Sequence, residues 1–65
     1  MSSSKIENNI RAERARKMLT QEKVAEMLHI SKNAYNMKEN GIRKFTLDEF
    51  RSLLKILECE PQDLL

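Results

Sequence analysis

Glycine and proline are nearly absent from this sequence, with one of each in 65 residues, and no run of β-branched residues occurs. Both features predict an all-α fold. Long hydrophobic stretches are missing too: no apolar run approaches the length that crosses a bilayer, and there is no signal-peptide pattern. We therefore expect one small soluble domain over residues 1–65, without contact to a membrane.

Cysteine and histidine are equally scarce, with one residue of each. Cys59 has no partner for an internal disulfide, which suits the reducing cytoplasm where we expect the protein. Cys59 and His29 lack the repeated spacing of a metal site, so we expect no metal and no cofactor. The sequence also has no nucleophile in a pattern with a base and an orienting group. The composition thus argues against an enzyme and against a small-molecule ligand.

The charge is small overall but unevenly divided. Residues 1–44 have ten Lys and Arg against five Asp and Glu, a net charge of +5, whereas residues 45–65 have two against five, a net charge of −3. A phosphate backbone would attract the first region and repel the second. An ordinary solvated surface of mixed charge is the alternative explanation.

Residues 20–41 have the pattern of two short helices joined by a tight elbow. Thr20 can cap the first helix and Ser31 the second, which should stop at Gly41. The spacing of the apolar residues in the first helix predicts that Val24, Ala25 and Leu28 face inward. The outward face of the second helix has Lys32, Asn33, Asn36, Met37 and Asn40. A polar second helix that crosses the first steeply is typical of a helix-turn-helix, which fills the major groove of DNA.

Three more helices are predicted around this pair. The first runs from about Lys5 to Met18, with a capping box from Ser4 to Glu7 and residues 1–4 frayed. The fourth follows a capping box of Thr46 and Glu49, and its core-facing side contains Leu47, Phe50, Leu53, Leu54 and Leu57. A final turn opens at Pro61. Five helices are expected in all.

Several short motifs follow one another in an order known from one family. They are I-R-x-x-R at Ile10–Arg14, L-T-Q at Leu19–Gln21, V-A at Val24–Ala25, I-S-K at Ile30–Lys32 and E-N-G at Glu39–Gly41. With the closing leucine-rich segment, the chain from about Ile10 to Leu65 resembles the lambdoid repressor and Cro family of helix-turn-helix proteins. Small regulators of phages and mobile elements are especially similar. The resemblance implies a five-helix lambda-repressor-like DNA-binding domain with its helix-turn-helix at helices 2 and 3.

The resemblance also implies roles for individual residues. Gln21 would bind a backbone phosphate, and Lys32 and Asn33 would face base edges. Asn36 and Met37 would follow one turn later, and Asn40 would lie near the backbone. Arg14 and Glu39 occupy the positions of an internal ion pair of the family, although separate surface charges are the alternative for them.

The chemistry of the outward face agrees with these roles. Asn can form two hydrogen bonds with adenine, and Lys can donate to the acceptors of guanine. Met37 offers an apolar surface to a thymine methyl group, or packs between helices. Arg43 and Lys44, after the third helix, are natural phosphate contacts unless their loop is merely solvated.

Four residues depart from the family pattern. His29 stands where the elbow usually has a glycine in the left-handed conformation. Histidine in that conformation should cost about 1 kcal/mol relative to glycine. Lys38 and Glu13 replace apolar core residues, so Lys38 should bury its stem, and the two could pair. Tyr35 replaces a usual aliphatic residue and should pack inward with its hydroxyl at a polar edge, with a DNA contact as the alternative.

These observations together predict a sequence-specific DNA-binding transcription regulator, a repressor or Cro-like switch protein. Because one recognition helix reads only a few base pairs, we expect a homodimer on double-stranded DNA with a palindromic operator. Leu57, Leu64 and Leu65 either form the dimer surface or close the core of the monomer. The alternative function is an antitoxin-like or adaptor protein whose main partner is another polypeptide.

Overall fold

All regular structure in residues 5–65, the part of the chain that the computed structural model describes, is helical. The helices are α1 (Lys5–Arg16), α2 (Gln21–Leu28), α3 (Lys32–Glu39), α4 (Leu47–Ile56) and α5 (Pro61–Leu64). This confirms the predicted all-α fold of five helices. The predicted fraying of residues 1–4 and the Ser4 cap lie outside the described residues.

Side-chain caps begin three of the helices at the predicted positions. The Thr20 hydroxyl accepts from the Lys23 amide at 3.0 Å, and the Ser31 hydroxyl accepts from the Ala34 amide at 3.0 Å. At the start of α4, Thr46 and Glu49 form the reciprocal capping box, with bonds of 3.1 Å and 2.9 Å. These bonds satisfy backbone donors that have no partner within the helix.

Residues with positive φ follow the first four helices and turn the chain sharply, and after α3 this residue is Gly41, with φ 79°. His29 has φ 61° and ψ 38°, as predicted for the elbow between α2 and α3. Met18 and Glu58 have φ values of 59° and 54° after α1 and α4. The prediction that α1 reaches Met18 is therefore wrong: the helix ends at Arg16, because Met18 leaves the right-handed region.

One cluster of buried side chains lies between the helices. α3 packs on α1 and α2, while α4 packs on α2 and α5 on α1. The buried residues are Ile10, Val24, Ala25, Tyr35, Leu53, Leu57 and Leu64. Five helices with short connections thereby share one core, which positions α3 against both α1 and α2.

The leucines of the C-terminal part fall into two groups. Leu57 and Leu64 have no exposed surface, so they close the core of the monomer and are not available as a dimer surface. Leu47 and Leu65 are 65% and 57% exposed. The prediction of Leu47 as a core residue is wrong: Leu47 is exposed at the start of α4, whereas Phe50, three residues later, packs against the core. No helix within residues 5–65 is long and apolar enough to span a membrane.

Candidate nucleic-acid interface

Helix α3 is anchored along one face and exposed along the other. Tyr35 and Glu39 have no exposed surface, and Lys38 is 9% exposed. Lys32 and Asn33, at the start of the same helix, are exposed. The helix is thus fixed from the inside while its first turn presents polar groups outward.

The carboxylate of Glu39 is the centre of the anchoring contacts. It accepts from Arg14 Nε at 2.8 Å and from Arg14 Nη2 at 3.2 Å. The Tyr35 hydroxyl donates to it at 2.7 Å, and Gln21 Nε2 donates at 2.8 Å. The structure therefore brings Arg14 and Glu39 together as a bidentate pair, and the Tyr35 hydroxyl reaches the polar edge formed by this pair. Side chains from α1, α2 and α3 meet at one group.

These contacts fix the charge of each partner. Burial alone would raise the pKa of Glu39, but the hydrogen bonds from Arg14, Tyr35 and Gln21 outweigh it and hold this pKa below its usual value. The hydrogen bond to Glu39 raises the pKa of Arg14. Burial, together with the bond to Glu39, raises the pKa of Tyr35. Glu39 is therefore an acceptor only, surrounded by donors.

A chain of side-chain amides leads from Glu39 along α3. Asn36 Nδ2 donates to Gln21 Oε1 at 3.1 Å, and Asn40 Nδ2 donates to Asn36 Oδ1 at 3.2 Å. Arg11 Nη2 donates to Asn40 Oδ1 at 3.2 Å and to the Glu39 carbonyl oxygen at 2.9 Å. We name this set, Gln21, Asn36, Asn40 and Arg11, the amide chain. Arg11 is not among the residues predicted above to have a role, and its position three residues before Arg14 on the same helix is the signal in the sequence that points to it.

The predicted DNA contacts differ in how open they are. Lys32, Asn33, Arg43 and Lys44 are exposed, while Gln21, Asn36, Met37 and Asn40 are half-buried. Gln21 donates one N–H to Glu39 and accepts from Asn36, so one N–H of its amide is left for a contact outside the protein. The DNA contacts of all eight residues stay predictions.

Lys38 pairs with a residue that the sequence analysis did not propose. Its Nζ lies 2.5 Å from Glu49 Oε1, and the two side chains are 11% and 14% exposed. The proposed pairing of Lys38 with Glu13 is wrong: Glu13 Oε2 instead lies 3.7 Å from Arg16 Nη1, on the same helix α1. Burial would raise the pKa of Glu49, but Lys38 and the Thr46 amide together lower it. The same carboxylate oxygen thus caps α4 and binds α3.

A helix α3 that exposes a polar first turn and follows α2 after only three residues, His29 to Ser31, is typical of a DNA-binding helix-turn-helix protein. The helix-turn-helix family model HTH_3 matches residues 10–64, and the chain belongs to this family, which is of the Cro/C1 type. The finding confirms the resemblance to lambdoid repressors and identifies a DNA-binding transcription regulator, not an enzyme.

A solved structure agrees with this assignment. The chain is similar to the restriction-modification controller protein C.AhdI from Aeromonas hydrophila, with 28% sequence identity and a TM-score of 0.83. The match covers 94% of this chain and 92% of that one. No curated protein matches the sequence.

Proposed function

We propose that the protein is a repressor or Cro-like switch protein that binds a palindromic operator as a homodimer. The observation that carries this proposal is the contrast within α3 between exposed Lys32 and Asn33 and fully buried Tyr35 and Glu39. A helix that is fixed from the inside holds its base-reading groups in a constant position, so little ordering is needed on binding. The similarity to a controller protein supports a regulatory role.

The proposed contacts divide into those that read bases and those that position the protein. Lys32 and Asn33 read the first bases, with Lys donating to guanine and Asn pairing with adenine. Asn36 and Met37 follow one turn later. The phosphate contacts come from Gln21, Asn40, Arg43 and Lys44, which carry no sequence information themselves.

The dimer follows from the small size of one recognition helix. Two copies would place two α3 helices in successive major grooves, about 34 Å apart. Of the three leucines proposed for the dimer surface, Leu57 and Leu64 are buried, so exposed Leu65 is the one still available for the contact between the two copies.

The free thiol of Cys59 suits a reducing compartment, and we propose that the protein acts in the cytoplasm.

Selection of bound sequences from random DNA tests the proposal. We expect a two-fold symmetric site whose half-sites are one helical turn apart. The double variant Lys32→Ala with Asn33→Ala should keep non-specific binding but lose preference at matching bases in both half-sites. Exposed Ser52 and Lys55 of α4 provide the matched control, Ser52→Ala with Lys55→Ala, which should leave the selected sequence unchanged.

Two results would contradict this proposal in different ways. A selected site without symmetry would exclude the dimer, and an unchanged site in the Lys32 and Asn33 variant would exclude base reading by these residues. Absence of DNA binding even at low salt would leave the polypeptide-binding alternative.

A further inference from the structure

We propose that the amide chain fixes the direction in which Asn36 presents its side-chain amide to DNA. Gln21, Asn40 and Arg11 would then be positioning residues, which act on base recognition through Asn36. The inference rests on the proposed DNA-binding function and names how one of its base contacts acquires its preference.

The direction of the amide chain is determined by its two ends. At one end, the Glu39 carboxylate can only accept, so Gln21 must turn its Nε2 toward it. At the other end, the Arg11 guanidinium can only donate, so Asn40 must turn its Oδ1 toward Arg11. A side-chain amide looks nearly symmetric, but one end of this chain requires a donor and the other requires an acceptor.

Asn36 lies in the middle, and both neighbours agree on its orientation. Gln21 offers it an oxygen, so Asn36 donates through Nδ2, and Asn40 offers it an N–H, so Asn36 accepts through Oδ1. A rotation of the Asn36 amide by half a turn would place two oxygens together on one side and two NH₂ groups on the other. Both hydrogen bonds would be lost, in a half-buried position.

The hydrogen-bonding groups of Asn36 that the amide chain leaves free match one base, adenine. An amide has two N–H donors and an oxygen with two lone pairs, and the chain uses one donor and one lone pair. One N–H and one lone pair remain, which are the groups that pair with N7 and the N6 amino group of adenine. An amide free to rotate could adapt to another base edge, whereas the chain prevents this adaptation. The expected consequence is stronger discrimination for adenine at one position of each half-site.

Asn40 gives the sharpest test, because Asn40→Ala removes one neighbour of Asn36 without adding charge. The affinity for the selected operator is compared with the affinity for single-base variants of it. We expect Asn40→Ala to reduce discrimination about fivefold or more at the base pair where Asn36→Ala also reduces it. Since a lost phosphate contact weakens binding to all sequences alike, the ratio of affinities isolates the effect on base reading.

The double variant shows whether Asn40 acts through Asn36. In the Asn36→Ala background, Asn40→Ala should cause no further loss of discrimination. Asn33→Ala is the matched control: it should affect a different base pair, and its effect should add to that of Asn40→Ala. Additive losses for Asn36 and Asn40, or unchanged discrimination in Asn40→Ala, would overturn the inference while leaving the operator and the proposed function intact.

The free protein supplies a second measurement that needs no DNA. The side-chain amide protons of Asn36 should exchange with solvent more slowly than those of exposed Asn33, and Gln21→Ala should abolish the difference. Equal exchange rates in the unmodified protein would show that the chain does not hold Asn36. A protein that selects no DNA sequence would overturn the proposed function and this inference together.

Discussion

Glu39 shows how a single buried charge can be tolerated in a chain this short. An isolated carboxylate without exposed surface would be very costly, but four hydrogen bonds from Arg14, Tyr35 and Gln21 compensate for its lost hydration. Such a group stabilises the fold only while its partners remain. Removing one of them leaves a buried charge without compensation.

Arg14→Ala should therefore reduce the free energy of unfolding by about 3–5 kcal/mol, as measured by denaturant titration. The matched control is Arg16→Ala on the same helix, where the side chain is 74% exposed and pairs with Glu13 at 3.7 Å. That substitution should cost less than about 1 kcal/mol. Equal, small losses in both variants would show that Arg14 behaves as a surface charge in solution.

At the scale of the elements, the segments between the helices combine favourable N-cap residues with residues in an unfavourable left-handed conformation. The Thr20, Ser31 and Thr46 caps are of the most favourable types, whereas left-handed His29 and Met18 stand where glycine costs less. The chain thus accepts local strain in its turns and depends on helix packing to maintain them.

His29→Gly should relieve this strain without loss of stability, and thermal unfolding should show an unchanged or higher midpoint. The expected gain is at most about 1 kcal/mol, because glycine also increases the entropy of the unfolded chain. Ala12→Gly at an exposed position of α1 is the contrasting control and should cost about 1 kcal/mol. A fall in the His29→Gly midpoint as large as that of the control would contradict the left-handed elbow.

The local features of the fold could be predicted from the sequence, while contacts between helices mostly could not. The Thr46 capping box is visible because its partner, Glu49, lies three residues away. The Lys38–Glu49 pair joins α3 to α4 across eleven residues, and nothing in either helix alone indicates it. Leu47 fits the apolar period of α4, but periodicity does not show where the core ends. The amide chain could not be predicted from the sequence, because its hydrogen bonds depend on how α1, α2 and α3 pack against one another.

At the scale of the whole molecule, the division of charge matches the division of roles. The basic residues 1–44 contain α3 and the loop with exposed Arg43 and Lys44, and the acidic residues 45–65 contain α4 and α5. Docked on DNA, the molecule would turn its positive region toward the phosphates and its negative region away from them. The orientation of binding would thereby be favoured before any base is read.

Arg43→Ala and Lys44→Ala should each weaken binding to operator and non-operator DNA alike. Each should also flatten the dependence of the logarithm of the affinity on the logarithm of the salt concentration by about one unit, measured by a binding titration at several salt concentrations. Lys55→Ala removes a positive charge from exposed surface of α4 and should leave this slope unchanged. The same change of slope in all three variants would indicate an effect of net charge without contact.

The anchoring of α3 has a consequence for how such a regulator can acquire new targets. Within residues 5–65, exposed Lys32 and Asn33 form no side-chain hydrogen bond or ion pair with a buried group, so mutation can exchange them and redirect the protein to another promoter at little risk to folding. Asn36 is different, because any replacement there disturbs Gln21 and, beyond it, Glu39. Divergence among related regulators should therefore begin in the first turn of this helix, while its middle changes slowly and in concert with α2.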